Sequence, residues 1–179
     1  ISLGLVGSEM CIRDRPKAVV DSGLKLAHIA KLVRGERYRS ELLNTIMFGA
    51  YNKRIKDNRT ANDWLTKDTK IVDEYLSDPK CSYKFTANAY IGFLNVIKYD
   101  IDKKNIAKTP DKLPVLFASG LEDPVGDYGK GVKKAFKMYT KYVDNVELYL
   151  YEDDRHELHS ETDREDIFSD LYEWIEENV

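Results

Sequence analysis

Two polar residues, Asp123 and His156, follow short apolar segments in positions where they could do chemistry. Asp123 lies in LEDPVG and His156 in EDDRHELH, and 33 positions separate them. An aspartate that accepts a hydrogen bond from one imidazole nitrogen fixes the tautomer of the histidine. The other nitrogen is then free to act as a base. The spacing therefore predicts acid–base chemistry of the kind that activates a hydroxyl nucleophile.

The elements around these residues must bring them together. Leu113–Gly120 is a continuous apolar run ended by glycine, which is typical of a parallel strand buried on both faces. Asn145–Tyr151 alternates apolar and polar residues and predicts a half-buried strand. Amphipathic segments at Tyr128–Val143 and Asp163–Glu177 predict helices. The order predicts a βαβα unit with a right-handed crossover, which places both polar residues at the carboxyl ends of adjacent strands.

The first half of the chain is predicted to be helical. Residues Lys17 to Lys108 show helical periodicity interrupted by a polar loop from Tyr51 to Thr66, in which Trp64 is predicted to be a packing anchor. In the first predicted helix Leu26, Ala30 and Val33 recur at helical spacing. The other helices are predicted at Tyr38–Phe48, Lys67–Leu76 and Thr86–Tyr99.

Two parallel strands do not form an independent sheet, because parallel sheets need further strands and cover on both faces. The fold class is therefore α/β, with the strand pair forming the edge of a larger sheet. We expect the central strands of that sheet to lie outside this sequence.

Residues 1–15, ISLGLVGSEMCIRDR, differ in character from the Lys- and Tyr-rich sequence that follows. They closely resemble a translated sequencing-adaptor read-through, and such segments are excluded before a fold is considered. The alternative is a divergent native N-terminus. On the first interpretation the native chain starts near Pro16, its true beginning is missing, and Cys81 is the one native cysteine.

Composition limits the classes of function. With 179 residues the chain has room for one domain, and 42% hydrophobic residues exclude a disordered chain. A net charge of −3 gives no support to nucleic-acid binding, and no apolar run reaches the length of a membrane span. The two cysteines argue against a disulfide scaffold, so a cytoplasmic protein is expected.

Each candidate residue also has a simpler interpretation. Asp123 could close a turn before Pro124, and His156 could be a solvated loop histidine. The sequence H-E-L-H from His156 to His159, with Glu161 nearby, suggests a metal site. It is one residue shorter than the H-E-x-x-H motif, and no third ligand follows at a familiar spacing. We therefore predict neither a metal nor another cofactor.

The ordered motifs carry a family resemblance. LPVLFASGLEDPVGDYGKGVKKAF, then VELYLYEDDRHELHSETDREDIFSDLYEWI, resembles the C-terminal part of the monoacylglycerol lipase and lysophospholipase-like α/β-hydrolases, also called serine aminopeptidase-like. The upstream FGAYNKRIKDNRTANDWLTKD resembles the helical cap of their bacterial members. The resemblance implies a cap at 16–108, a core segment at 109–179 and a lipid ester substrate. It assigns Asp123 as the acid and His156 as the base of a catalytic triad.

The third residue of such a triad is absent from the sequence. The family's serine lies in a G-x-S-x-G turn, but Ser8 in VGSEM and Ser119 in FASGL both lack the second glycine. The oxyanion-hole loop is missing as well, so we predict that this chain alone is inactive. Two alternatives stay open: a non-catalytic binding or scaffold protein with this fold, and a peptidase or acyltransferase on the same fold.

Overall fold

The computed structural model describes residues 17–56, 58–81 and 83–178, so the expectation for residues 1–15 lies outside the described residues. The described part contains a helical first half and an alternating α/β second half, as the sequence predicts. Its helices are α1 (Lys17–Arg34), α2 (Glu41–Phe48), α3 (Thr69–Ser77), α4 (Ala87–Asp100), α5 (Lys103–Ile106), α6 (Lys130–Tyr139) and α7 (Arg164–Asn178), and its strands are β1 (Val115–Gly120) and β2 (Val146–Tyr151).

The two strands pair in parallel. Their register runs from Val115 opposite Val146 to Gly120 opposite Tyr151, and α6 makes the connection between them. Phe117 of β1 is buried against α6, together with apolar side chains of β2. The predicted α/β class is confirmed, and the described residues contribute these two strands to one sheet.

The predicted half-buried strand β2 is confirmed, but its two faces do not differ in burial. All six of its residues are partly buried, rather than apolar residues inside and polar residues outside. Val146 and Leu148 pack with Phe117 and α6 on one face. Glu147, on the other face, accepts a hydrogen bond from the indole of Trp174 in α7 at 2.8 Å. Because helices cover both faces, neither set of side chains is fully exposed.

Helix α6 begins two residues later than its apolar pattern suggests. Asp127, Tyr128 and Gly129 have φ angles of 47°, 55° and 77°, all in the left-handed region. Two consecutive non-glycine residues in this region are uncommon, so the sequence gives no signal for the turn. This turn lies in the loop after β1 that also carries Asp123.

In the first half, α1 packs along α4. The core between them contains Val20, Leu24 and Ala27 of α1 with Tyr90 and Leu94 of α4. The helical periodicity of α1 is confirmed, but Leu26 and Val33, chosen from that periodicity, are 37% and 70% exposed. No helix in residues 17–56, 58–81 or 83–178 has both the length and the apolar character needed to cross a bilayer.

Side-chain caps explain where several helices start. Ser40 accepts a hydrogen bond from the backbone N–H of Leu43 at the start of α2, and Thr86 caps α4 in the same way. Such caps satisfy backbone donors that have no partner within the helix. The extended residues Arg39 and Thr86 also form an antiparallel bridge, which joins the starts of α2 and α4.

Candidate active site

Asp123 lies just beyond the end of β1 and is almost completely buried, with 1% of its surface exposed. Its Oδ1 atom accepts a hydrogen bond from the backbone N–H of Val125 at 2.7 Å. Its backbone carbonyl accepts another from Tyr128 at 2.8 Å. The carboxylate therefore closes the turn with one oxygen, while its second oxygen, Oδ2, points towards His156.

His156 lies beyond the end of β2, and its side chain is 14% exposed. The distance from its Nδ1 atom to Oδ2 of Asp123 is 3.2 Å. When Nδ1 carries a proton, it can donate a hydrogen bond to the carboxylate. Nε2 then has a free lone pair and can accept a proton. The structure thus brings together the two residues that the sequence singles out, and the arrangement is suited to general-base chemistry.

The two loops that carry these residues are joined through their backbones. The N–H of Leu121 donates to the carbonyl of Tyr151, and the N–H of Glu122 donates to the carbonyl of Asp154, both at 2.8 Å. Gly120 lies directly beneath the second loop. A Cβ atom at that position would overlap the carbonyl group of Asp154, so only glycine lets the loops approach this closely.

An aromatic cluster covers the pair from the side of the helical half. We name it the aromatic roof, and it consists of Phe48, Tyr51 and Trp64. Trp64 lies 4.9 Å from Tyr51 and 5.2 Å from the ring of His156, measured between ring centroids. Val125, two residues after Asp123, packs in the same cluster. The sequence identifies Trp64 as a packing anchor but gives no sign that it contacts the imidazole.

Ser119, one of the two serines considered from the sequence, lies inside β1. It is buried, and its hydroxyl donates to the carbonyl of Gly120 at 3.2 Å. Nothing in the geometry of the described residues directs this hydroxyl to His156. That Ser119 is not the serine of a triad stays a prediction.

The histidines do not form the metal-like cluster that H-E-L-H suggests. Among the described residues, the side chains that converge with suitable ligand atoms are Asp154, Glu161 and Asp163. The ammonium group of Lys67 lies 2.6 Å from Oδ1 of Asp154 and supplies positive charge there. Burial raises the pKa of Asp154 and of Glu161 above their ordinary values.

The family model described as "Serine aminopeptidase, S33" matches residues 17–163, which is most of the chain. The chain belongs to the serine aminopeptidase family S33. The fold of this family is the α/β-hydrolase fold, and the parallel pair β1–β2 with its connecting helix α6 is part of it. A search of the curated proteins found no significant match.

Solved α/β-hydrolases share the fold of this S33 family member. A thermostable carboxyl esterase from Bacillus coagulans aligns with a TM-score of 0.81 at 22% identity, over 89% of this chain and 52% of its own. A lipase in its open form aligns with a TM-score of 0.79 at 25% identity, over 93% of this chain and 55% of its own. The chain therefore spans about half the length of these two proteins.

A more distant neighbour is the monoacylglycerol lipase of Paleococcus ferrophilus. It aligns with a TM-score of 0.55 at 15% identity, over 88% of this chain and 65% of its own. At this identity the likeness concerns the fold alone. The family and fold predicted from the motifs are thus confirmed, whereas the boundaries of the cap and core segments stay a prediction.

Proposed function

We propose that this S33 family chain is part of a serine ester hydrolase that acts on lipid esters, namely monoacylglycerols or lysophospholipids. Asp123 is the acid and His156 the base of its triad, and the nucleophilic serine lies outside this sequence. One observation carries the proposal. The imidazole Nδ1 lies 3.2 Å from a carboxylate that is 1% exposed, at the carboxyl ends of two parallel strands.

The geometry supports a defined sequence of proton transfers. Nε2 of His156 takes the proton of the serine hydroxyl as the serine oxygen attacks the ester carbonyl. The imidazolium then gives that proton to the leaving alcohol, and an acyl-enzyme remains. Water repeats the cycle and releases the acid. Asp123 stabilises the imidazolium by accepting from Nδ1, and its own position is fixed by Val125.

Two features support a lipid ester rather than a polar one. Proteins that share the fold are named as a lipase, a monoacylglycerol lipase and a monoglyceride lipase. In addition, Trp64 of the aromatic roof lies directly beside the imidazole, and Tyr51 packs against Trp64. An apolar wall next to the reacting group is suited to an acyl chain. We propose that the helical region 16–108 acts as the cap of this enzyme.

This chain by itself should not turn over esters. In a serine protease with such a triad, loss of the nucleophile costs on the order of 10⁶ in kcat. Each oxyanion donor that is absent costs a further factor of about 10²–10³. We expect no hydrolysis of a short p-nitrophenyl ester by the purified 179-residue chain. Turnover that His156→Ala abolishes would contradict this expectation.

The full-length product of the gene that carries this chain provides the test of the function. We expect it to contain a G-x-S-x-G turn upstream and to hydrolyse monoacylglycerol and lysophospholipid. An upstream reading frame without that turn would instead make the protein a non-catalytic member with a binding role. Preferential cleavage of peptides, or acyl transfer to an alcohol, would reassign the reaction on the same fold.

Since Cys81 is a free thiol, we propose that the enzyme is located in the cytoplasm.

A further inference from the structure

A fully buried carboxylate joins the loop of His156 to a segment far away in the sequence. Glu161 has 0% of its surface exposed. Its Oε1 atom accepts a hydrogen bond from the backbone N–H of Arg155 at 2.7 Å. Its Oε2 atom accepts one from the backbone N–H of Lys67 at 3.0 Å. Arg155 directly precedes His156, so the side chain of Glu161 holds the start of this loop in place.

Backbone hydrogen bonds join the same two segments. The N–H of His156 donates to the carbonyl of Trp64 at 3.4 Å, and the N–H of Glu157 donates to the carbonyl of Leu65 at 2.7 Å. The loop therefore runs alongside residues 64–67. His156 is the first residue of the loop whose backbone donates a hydrogen bond to the backbone of that segment. A shift of either segment would move the imidazole.

Side chains reinforce the same junction. Nη1 of Arg155 donates to the carbonyls of Asp63 at 2.8 Å and Thr66 at 3.0 Å. The hydroxyl of Thr66 lies 3.1 Å from Oε2 of Glu161 and 2.8 Å from the carbonyl oxygen of Ser160. Because a hydroxyl has one proton, these two acceptors share it. The carboxylate is thus the acceptor at the centre of the junction.

We propose that Glu161 is a positioning residue for His156, holding the loop so that the imidazole stays within hydrogen-bond distance of Asp123. The proposal rests on the proposed function, in which these two residues form the acid–base pair. A carboxylate is required because two backbone donors converge on it from different segments. An amide offers one acceptor oxygen, and its NH₂ group would face the second donor.

The test uses Glu161→Gln in the full-length gene product, with Glu147→Gln as the matched control. The carboxylate of Glu147 also accepts hydrogen bonds, but its partners are the indole of Trp174 and the hydroxyl of Tyr149 rather than the His156 loop. Nitrogen-15 NMR of the imidazole reports which ring nitrogen carries the proton. We expect the Nδ1-protonated tautomer to dominate in the wild type and in Glu147→Gln, and to lose its dominance in Glu161→Gln.

A folded Glu161→Gln variant with an unchanged tautomer signal would overturn the proposal, because the carboxylate would then have only a structural role. If that variant does not fold, the wild-type chain decides. The amide protons of Arg155 and Lys67 should exchange more slowly than those of exposed loop residues. Exchange of both at the rate of an exposed loop would overturn the proposal as well.

Failure of this inference and failure of the proposed function give different results. If the wild-type imidazole is not protonated at Nδ1, the acid–base pair itself is wrong, whatever the variant shows. If the full-length gene product is inactive on esters, the proposed function fails while slow exchange at Arg155 and Lys67 still supports the junction. An Nδ1-protonated wild type with an insensitive Glu161→Gln variant refutes the positioning role alone.

Discussion

Asp123 divides its two carboxylate oxygens between two partners. Oδ1 accepts from the backbone N–H of Val125, and Oδ2 lies 3.2 Å from Nδ1 of His156. The sequence leaves two interpretations of this residue open, a turn-closing aspartate and a partner for histidine. Its contacts agree with both. The turn holds the carboxylate in place, so that it can orient the imidazole.

Replacing Asp123 with asparagine separates these two contacts. Asp123→Asn should keep the turn, because the amide oxygen can still accept from Val125, but its NH₂ group would face Nδ1 and favour the wrong tautomer. We expect kcat of the full-length product to fall on the order of 10⁴, as for the same change in another triad. Asp127→Asn, an exposed position in the same loop, should leave kcat unchanged. Equal losses in both variants would contradict the assignment.

The close approach of the two loops predicts a strong effect at Gly120. A Cβ atom there would overlap the Asp154 carbonyl and push the loop of His156 away. We expect Gly120→Ala to lower the free energy of unfolding by about 1–3 kcal/mol, the range for overpacking. Gly92→Ala is the matched control, since a Cβ atom in the middle of α4 meets nothing within 4 Å. It should raise stability by about 0.5–1 kcal/mol, measured by urea unfolding.

Burial of Glu161 predicts a dependence of stability on pH. Burial raises the pKa of this carboxyl above 4.5, and Asp154 adds to that rise, whereas backbone N–H groups of Arg155 and Lys67 oppose it. The folded state then binds a proton more readily than the unfolded state. The resulting stability is fully present below about pH 4.5 and is lost as the pH rises through the folded-state pKa.

Urea unfolding from about pH 4 to about pH 8 measures this pH dependence, because a carboxyl group with a raised pKa titrates within that range. The free energy of unfolding of Glu161→Gln should change less with pH than that of the wild type. Glu165→Gln, at an exposed position in the first turn of α7, should keep the wild-type slope. A Glu161→Gln curve parallel to the wild-type curve would show that Glu161 does not titrate in this way.

Much of the second half of the chain could be predicted from its sequence. The apolar run before Gly120 and the segment before Tyr151 predict the strands, and the parallel crossover rule then places Asp123 and His156 at one edge. These signals are local, because each strand carries its own pattern. The stripe of α7 is also correct, with Ile167 buried and Trp174 partly buried.

What could not be predicted depends on contacts between distant segments. The buried side of α1 is set by its contact with α4, so helical periodicity alone does not show that Val20, Leu24 and Ala27 form that side. In the sequence Glu161 appears only as a neighbour of a possible metal motif. Its actual partners, Arg155 and Lys67, include one that is far away in the chain. The contact between Trp64 and His156 has the same long-range origin.

The central claim is that His156 acts as the base for a serine nucleophile. Labelling of the full-length gene product with a fluorophosphonate tests it most directly, because this reagent reacts with activated serines. We predict labelling of one serine in a G-x-S-x-G turn, lost in His156→Ala and kept in His159→Ala, which changes an exposed histidine of the same loop. Labelling that persists in His156→Ala, or its absence from the wild-type protein, would contradict the claim.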